Sequence, residues 1–343
     1  MTVHHCNAGG FQRSDSRYLE RLQTEHVRIK LRCAILSLRI QEKVDRLIVY
    51  FPSLPHPSSS VGWPHDLFPS FSVTGRWCNL NCLHCSKRLL STMEEATSPE
   101  MLIEKCVELK ARGGVGCLVS GGCTSDGKVP LKRFSRALRE AKNLGLRIVV
   151  HTGLVDVEDV EVLKGSGVDC VSMDVVGSDD TLREIYHLKA KVADLESSLE
   201  LLKDAGLKIT PHILIGLHYG KIRGEWKAVE LAVNQEPDAL IFIVFTPLRG
   251  TAMEDVNPPP LEHVSELIAY GKSKMKDRPV ALGCMRPSGL YRDHLDLRAV
   301  QTGIDGIAFP SKSVLTGVKD LGIKVIHKPH CCSLIVYDLD FEG

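Results

Sequence analysis

The chain has 343 residues, 43% of them hydrophobic and 25% charged, with a formal net charge of +1. That is enough chain to bury one large α/β core or two small ones. The near-neutral balance gives no support to binding of nucleic acid or of an anionic membrane surface. No apolar run approaches the roughly 20 residues that a membrane-spanning helix requires. The opening Met-Thr-Val-His-His-Cys has neither the basic nor the apolar region of an export signal, so a cytoplasmic protein is expected.

In chain order, residues 1–66 read as a preface. Ser16 to Val49 carries Leu19, Leu22, Val27, Leu31, Ile35 and Leu38 at roughly helical spacing, which predicts a helical extension. Phe51 to Pro69 holds five prolines and a triple serine and predicts a connector. A regular beat follows over 67–312. Short apolar runs occur at Phe71–Thr74, Cys117–Ser120, Ile148–His151, Cys170–Val176, Ile209–Leu217, Ala239–Pro247, Val280–Gly283 and Gly306–Pro310. Amphipathic segments such as Pro99–Arg112, Leu131–Leu144 and Thr181–Ala205 separate them. Helix-ending glycines stand just before strands at 145, 165, 167 and 206. Strand–helix alternation predicts a parallel sheet with right-handed crossovers. Eight such strands predict a (β/α)8 barrel of TIM type, with functional groups at the C-terminal strand ends; an open six-stranded barrel with a separate tail unit is the competing count. Residues 313–343 form a tail, with a helix from Ser313 to Leu321, then Ile323–His327 and the pair Cys331-Cys332. A tail of this length can fold back over a barrel mouth.

Twelve cysteines are many for such a chain. Secreted disulfide scaffolds are short and poor in core, whereas this sequence has a strong core pattern, so clustered thiols point first to metal ligation. Cys78, Cys82 and Cys85 follow the first barrel strand with Cys-x3-Cys-x2-Cys spacing. Three thiolates on one loop can hold three irons of a cubane. A ferredoxin-type carrier supplies four per 4Fe–4S cluster, and the missing fourth leaves one iron open to a small chelating molecule. A zinc site completed by His84 is the alternative. Cys123 and Cys284 end the second and seventh strands, on the same mouth, and Cys331 and Cys332 could close over them as ligands of a second cluster. Cys6, beside His4 and His5, is a further candidate ligand. Cys33, Cys106, Cys117 and Cys170 fall on apolar faces and read as packing thiols. His151, His212 and His218 lie at strand ends. Arg286, in Gly-Cys-Met-Arg-Pro, is a candidate for holding a carboxylate or a cluster sulfide.

The cysteine motif resembles that of the radical S-adenosylmethionine (radical SAM) superfamily, with His84 at the position that is usually aromatic. The resemblance implies that the open iron binds S-adenosylmethionine, whose reductive cleavage gives a 5′-deoxyadenosyl radical. It also implies contacts to that molecule from the Ser120-Gly121-Gly122 turn, from Ser172 and Asp174 on the fourth strand, and from Ile213 to Gly216 on the fifth. Cys123 departs from the pattern, standing where the family has Glu. Several further strings, Leu-Val-Ser-Gly-Gly-Cys-Thr (118–124), Val-His-Thr-Gly-Leu-Val-Asp (150–156), Asp-Val-Val-Gly (174–177), Ile-Gly-Leu-His-Tyr-Gly-Lys-Ile (215–222) and Leu-Gly-Cys-Met-Arg-Pro (282–287), resemble the biotin synthase-related proteins of that superfamily, in particular the subunits of two-component lipoyl synthases. This similarity runs from about Phe71 to Cys332. It implies sulfur insertion into an octanoyl chain on a carrier-domain lysine, a sacrificial second 4Fe–4S cluster, a sister radical SAM subunit, and a reductant such as ferredoxin or flavodoxin. Cys123, Cys284 and Arg286 would then serve the sulfur-transfer step. A biotin synthase-like reaction on a free small molecule and a non-catalytic iron–sulfur or zinc protein are the rival expectations.

Overall fold

The structure is a computed structural model that describes residues 45–53 and 66–339. The expected strands are present as β2 (Ser70–Ser72), β4 (Gly116–Ser120), β5 (Arg147–Thr152), β6 (Cys170–Val175), β7 (Ile209–Ile215), β8 (Leu240–Val244), β9 (Val280–Leu282) and β10 (Gly306–Ala308). They run parallel and lie side by side in chain order, as right-handed strand–helix–strand connections demand. Three further strands join the sheet. β1 (Arg46–Tyr50) pairs with β10, β11 (Lys324–Lys328) pairs with β1, and the two-residue β3 (Glu94–Glu95) pairs with β2. Among the described residues the sheet therefore opens between β11 and β3 rather than closing β10 onto β2. It is a parallel half-barrel of TIM type.

β1 corrects the expectation that helix continues to Val49. Leu47, Ile48, Val49 and Tyr50 are fully buried, with one face on the sheet's concave side and the other on the helices. A strand covered on both faces reads as an unbroken apolar run and carries no alternation to mark it. The expected helix Thr181–Ala205 is two, Asp179–Glu184 and Val192–Asp204. They are separated by a turn in which His187 takes a left-handed φ of 57°. Helix Val157–Ser166 starts on a reciprocal cap between Asp156 and Asp159 and stops at Gly167, whose φ of +67° no other residue adopts as cheaply.

The tail does more than cover the mouth. After β11 it turns at Pro329 and runs as a 3-10 helix, Cys332–Tyr337, along the concave face. Ile335 packs with Ile48, Tyr50, Ile241, Ala281 and Ala308, and Leu334 with Phe68, Val149 and Cys170. Burying two such side chains contributes roughly 1.5–3 kcal/mol each. Polar ties fix the register. Ser333 Oγ accepts from Ser172 Oγ at 3.0 Å, Tyr337 OH donates to Asp169 O at 2.9 Å, and Asp338 takes Tyr50 OH at 2.9 Å and Lys328 Nζ at 2.9 Å. The tail thus packs into two clusters of the sheet's inner face, one with β1, β8, β9 and β10 and one with β5 and β6, and Cys331 and Cys332 are carried into the lumen.

Candidate active site

The loop after β2 brings Cys78, Cys82 and Cys85 to the C-terminal end of the sheet. Asn81, Ser86 and Lys87 all take positive φ there, so the loop winds tightly around the three thiols. Of Cys82 and Cys85, the latter is the easier to ionise, its thiol lowered to about 7 by Cys82, while Cys85 and burial push Cys82 up. Gly122 is buttressed against this loop: a Cβ there would lie 1.9 Å from Trp77 O and 2.5 Å from Cys78 Cβ. Its N–H donates to Thr74 Oγ1 at 2.7 Å. The close approach that glycine allows at this turn is therefore first an approach to the protein's own cysteine loop. Gly121 stands beside Thr74 in the same way, and Ser120 Oγ donates to His151 O at 2.8 Å, locking β4 to β5.

Behind the loop lies a cavity of about 230 Å³. Its wall is largely apolar, from Leu118 and Leu214 on β4 and β7 to Ile243, Phe245 and Leu248 on β8 and the loop that follows. His84, from the cysteine loop, and Asp174 line it together with Cys284, Cys331 and Cys332. Ser172, His151 and His212 complete it. Ser172 is fully buried and bonded to Thr210 and Ser333, so its hydroxyl is committed within the lumen wall. His151 Nε2 lies 3.3 Å from Asp174 Oδ1, and the rings of His151 and His212 stack 5.2 Å apart. Burial pushes both imidazoles down. The Asp174 carboxylate reverses this for His151, which ends raised, and His212 falls to about 4, burial and the His151 charge acting together. His218 is bonded to Thr181 and Arg223 outside this wall.

Three placements bear on the sequence expectations. Ile213 does not line the cavity; His212 and Leu214, its neighbours on β7, do, because alternate residues of a strand face opposite sides. Gly216 sits at the strand end with φ +75°, its N–H held by the buried Glu225 carboxylate at 2.8 Å. Arg286 is not available to a carboxylate or a cluster sulfide. All five of its N–H groups are taken, by Asp296 Oδ1 and Oδ2 at 2.7 and 3.1 Å and by the carbonyls of Gly283, Ala308 and Phe309 at 2.7, 2.7 and 3.0 Å. It staples the ends of β9 and β10. Third, the structure separates Cys123 from Cys284. Cys123 N donates to Cys78 Sγ at 3.3 Å, which places this residue with the cysteine loop, and burial raises its thiol to about 12. Cys284 faces the tail pair. Cys331 Sγ donates to Ser333 Oγ at 3.5 Å; its neighbour Cys332 brings Cys331 down to about 6, while Cys331 and burial push Cys332 up. Cys106, Cys117 and Cys170 are fully buried, and Cys170 Sγ donates to Ser333 O at 3.6 Å. His4, His5, Cys6 and Cys33 lie outside the described residues.

A protein-family model described as the radical SAM superfamily matches residues 72–231, the stretch that holds the cysteine loop and β4 to β7. The chain carries a radical SAM domain. Among curated proteins, the biotin synthase of Stenotrophomonas maltophilia is 24% identical over 258 residues, covering 72% of each chain. That of Acidithiobacillus ferrooxidans is 21% identical over 256 residues, covering 73% of this chain and 80% of the relative. This is therefore a biotin synthase-related radical SAM protein. The fold agrees with solved structures. Methylornithine synthase superposes with a TM-score of 0.55 at 14% identity, covering 85% of this chain and 88% of its own. The FeFe-hydrogenase maturase HydG from Carboxydothermus hydrogenoformans gives 0.55 at 13% identity, with 80% of this chain matched but 62% of the maturase, so the chain spans about three fifths of that neighbour. No helix among the described residues is long and apolar enough to cross a membrane.

A radical SAM domain implies S-adenosylmethionine and one 4Fe–4S cluster, and the residues present fit both. Among the described residues no three His, Cys, Asp or Glu side chains converge on one ion position. A cubane does not ask for that, since each thiolate takes a different iron. Between the cysteine loop and the cavity, three buried polar atoms have no protein partner aligned for a hydrogen bond: His84 Nδ1, Asp174 Oδ1 and Tyr186 OH. Buried polar atoms are nearly always satisfied, so a cluster of three marks a place where a polar ligand supplies the missing bonds.

Proposed function

We propose that this radical SAM enzyme inserts sulfur into unactivated C–H bonds of an octanoyl chain borne on a carrier-domain lysine, as a lipoyl synthase subunit. In this reading it shares the task with a sister radical SAM subunit and draws electrons from a ferredoxin or flavodoxin. The observation that carries the reading is the cavity. Its wall is largely apolar and also carries His84, Asp174 and the three cysteines Cys284, Cys331 and Cys332.

Cys78, Cys82 and Cys85 would hold the first cluster, and His84 and Asp174 would contact the bound cosubstrate. When bound, that pair supplies a 5′-deoxyadenosyl radical able to remove hydrogen from an unactivated carbon. Leu118, Leu214, Ile243 and Leu248 would align an alkyl chain and keep water from the reacting carbon. Cys284, Cys331 and Cys332 would hold a second iron–sulfur cluster, the sulfur source, against the same chain. Cys123, beside the first loop, is left out of that set. No Lys or Arg lines the cavity, and Arg286 is engaged elsewhere. A free acid such as the dethiobiotin used by a biotin synthase would meet there the His151 imidazole, which is already paired with Asp174. An acyl chain ending in an amide has no such charge to place.

Anaerobic reconstitution, reductant, S-adenosylmethionine and either an octanoyl-lysine peptide or dethiobiotin make the test. Thiol-bearing octanoyl product together with 5′-deoxyadenosine supports the reading. Sulfur incorporation into dethiobiotin alone replaces it with the biotin synthase-like activity, and absence of iron and sulfide ends both. The Cys284→Ala protein is expected to keep about four of about eight irons, still to form 5′-deoxyadenosine, and to transfer no sulfur.

A further inference from the structure

Tyr186 belongs to no motif. It follows helix Asp179–Glu184 in the turn that interrupts the expected longer helix, and that turn lies against the cysteine loop along several contacts. Leu83 N donates to Ile185 O at 2.9 Å, Cys82 Sγ donates to Tyr186 O at 3.7 Å, and His187 Nδ1 meets Leu80 O at 3.2 Å. The Tyr186 ring packs edge-on to His84 with centroids 5.3 Å apart. Its position is thus set from both sides, by backbone and by ring. Yet its hydroxyl is buried and makes no hydrogen bond. Leaving such a group unpaired costs about 1–3 kcal/mol, a cost that a bound ligand removes.

We infer that the Tyr186 hydroxyl is a binding group for S-adenosylmethionine, donating a hydrogen bond to an oxygen or nitrogen of the bound molecule. This inference rests on the radical SAM reading and not on the identity of the final substrate. Two observations select that ligand. Tyr186 does not line the cavity proposed for the alkyl chain, whereas His84 and Asp174 do. Its ring and backbone touch His84 and Cys82 of the cysteine loop, at 5.3 Å between centroids and 3.7 Å from Sγ to O. The hydroxyl therefore faces the junction of cysteine loop and cavity, where the cosubstrate must bridge the two. The chemistry of the trio points the same way. Asp174 Oδ1 can only accept while Tyr186 OH donates, so one ligand answering both must carry donors and acceptors. Cluster sulfides only accept. A sugar hydroxyl or an amino acid group offers both.

Tyr186→Phe removes one oxygen and retains the ring against His84. In the reconstituted protein, S-adenosylmethionine affinity is measured by equilibrium dialysis without reductant, beside iron content and the cluster's midpoint potential in the absence of cosubstrate. The expected result is a dissociation constant weakened about 5- to 100-fold, as one buried hydrogen bond predicts, with iron content and potential unchanged. A constant within twofold of wild type overturns the inference, and so does a shifted potential with unchanged affinity, because the hydroxyl would then serve the cluster. Should Phe at 186 impair iron loading, Tyr186→His, which restores a donor on a ring, is expected to bind more tightly than Tyr186→Leu; equal binding by the two overturns the inference. Failure of the wild-type protein itself to bind S-adenosylmethionine would instead sink the radical SAM reading.

Discussion

The contact between Gly122 and the cysteine loop converts one methyl group into a displacement of a cluster ligand. In Gly122→Ala the new Cβ would sit 1.9 Å from Trp77 O and 2.7 Å from Cys78 Cα, against an ordinary contact that begins near 3.4 Å. Backbone must therefore give by about 1.5 Å, the difference between 3.4 and 1.9. Neither neighbour is the loose end of a flexible side chain. Overpacking of this kind typically costs about 1–3 kcal/mol, which a domain of this size can survive. The functional cost is larger, because a misplacement of about 1 Å in a reacting constellation can lower a rate by roughly 100-fold. Gly165 makes the control. A Cβ there meets nothing within 4 Å and its helix, Val157–Ser166, favours Ala, so Gly165→Ala should stabilise the fold by up to about 1 kcal/mol. Iron per chain and 5′-deoxyadenosine formation are measured on both proteins after the same anaerobic reconstitution. Gly122→Ala should lose most of its product formation and part of its iron while remaining folded by circular dichroism. If it matches Gly165→Ala in both, the glycine does not set the position of Cys78, and the steric reasoning fails.

Asp296→Asn leaves the Arg286 guanidinium buried with its charge partner neutralised, so unfolding in urea should show a loss of about 3–5 kcal/mol. The paired Arg286→Met, Asp296→Leu protein should lose much less than the two singles combined; additive losses would refute a shared network. Asp338→Ala removes the acceptor of Tyr50 and Lys328 that anchors the tail. Cys331 and Cys332 should then react with maleimide many times faster than in wild type, and sulfur transfer should fall while 5′-deoxyadenosine still forms. A wild-type labelling rate would show that Asp338 is no anchor. The Asp156 carboxyl is held well below the usual range, first by the Lys128 ammonium and then by the Asp159 N–H. Its stabilising contribution is therefore complete above the unfolded value of about 4 and is lost as the pH falls through the folded value. Asp156→Ala should cost about 1 kcal/mol at neutral pH as a lost helix cap and progressively less in acid, checked by thermal melts at several pH values.

What could be read from the sequence was local in the chain or periodic along it. The Cys-x3-Cys-x2-Cys loop carries its chemistry within eight residues, and the parallel strands announce themselves by alternation with helices, so both were legible before any coordinates. What escaped depends on partners far along the chain. Arg286 looks like a binding group beside Cys284, and only the fold brings Asp296 and two carbonyls from β10 and the residue after it to occupy it. β7 is buried on both faces, so only Thr210 and His212, alternating with apolar neighbours, mark its lumen side.

The tail is the deeper case. Cys332–Tyr337 has neither helical nor strand periodicity, and its apolar residues find their partners across the whole sheet, from Ile48 to Ala308. Such a segment has no local signature, since it forms no layer of its own and fills a space whose walls other elements make. That filling explains why the cysteines divide as they do. With Leu334 and Ile335 lodged deep in the lumen, Cys331 and Cys332 are drawn down to the level of Cys284, while Gly122 presses Cys123 against the loop of Cys78. Cys284, Cys331 and Cys332 thus line the cavity, while Cys123 stays with the loop that carries Cys78 and His84. The separation follows from packing at two places, the buried tail fixing one set of thiols and the glycine turn the other.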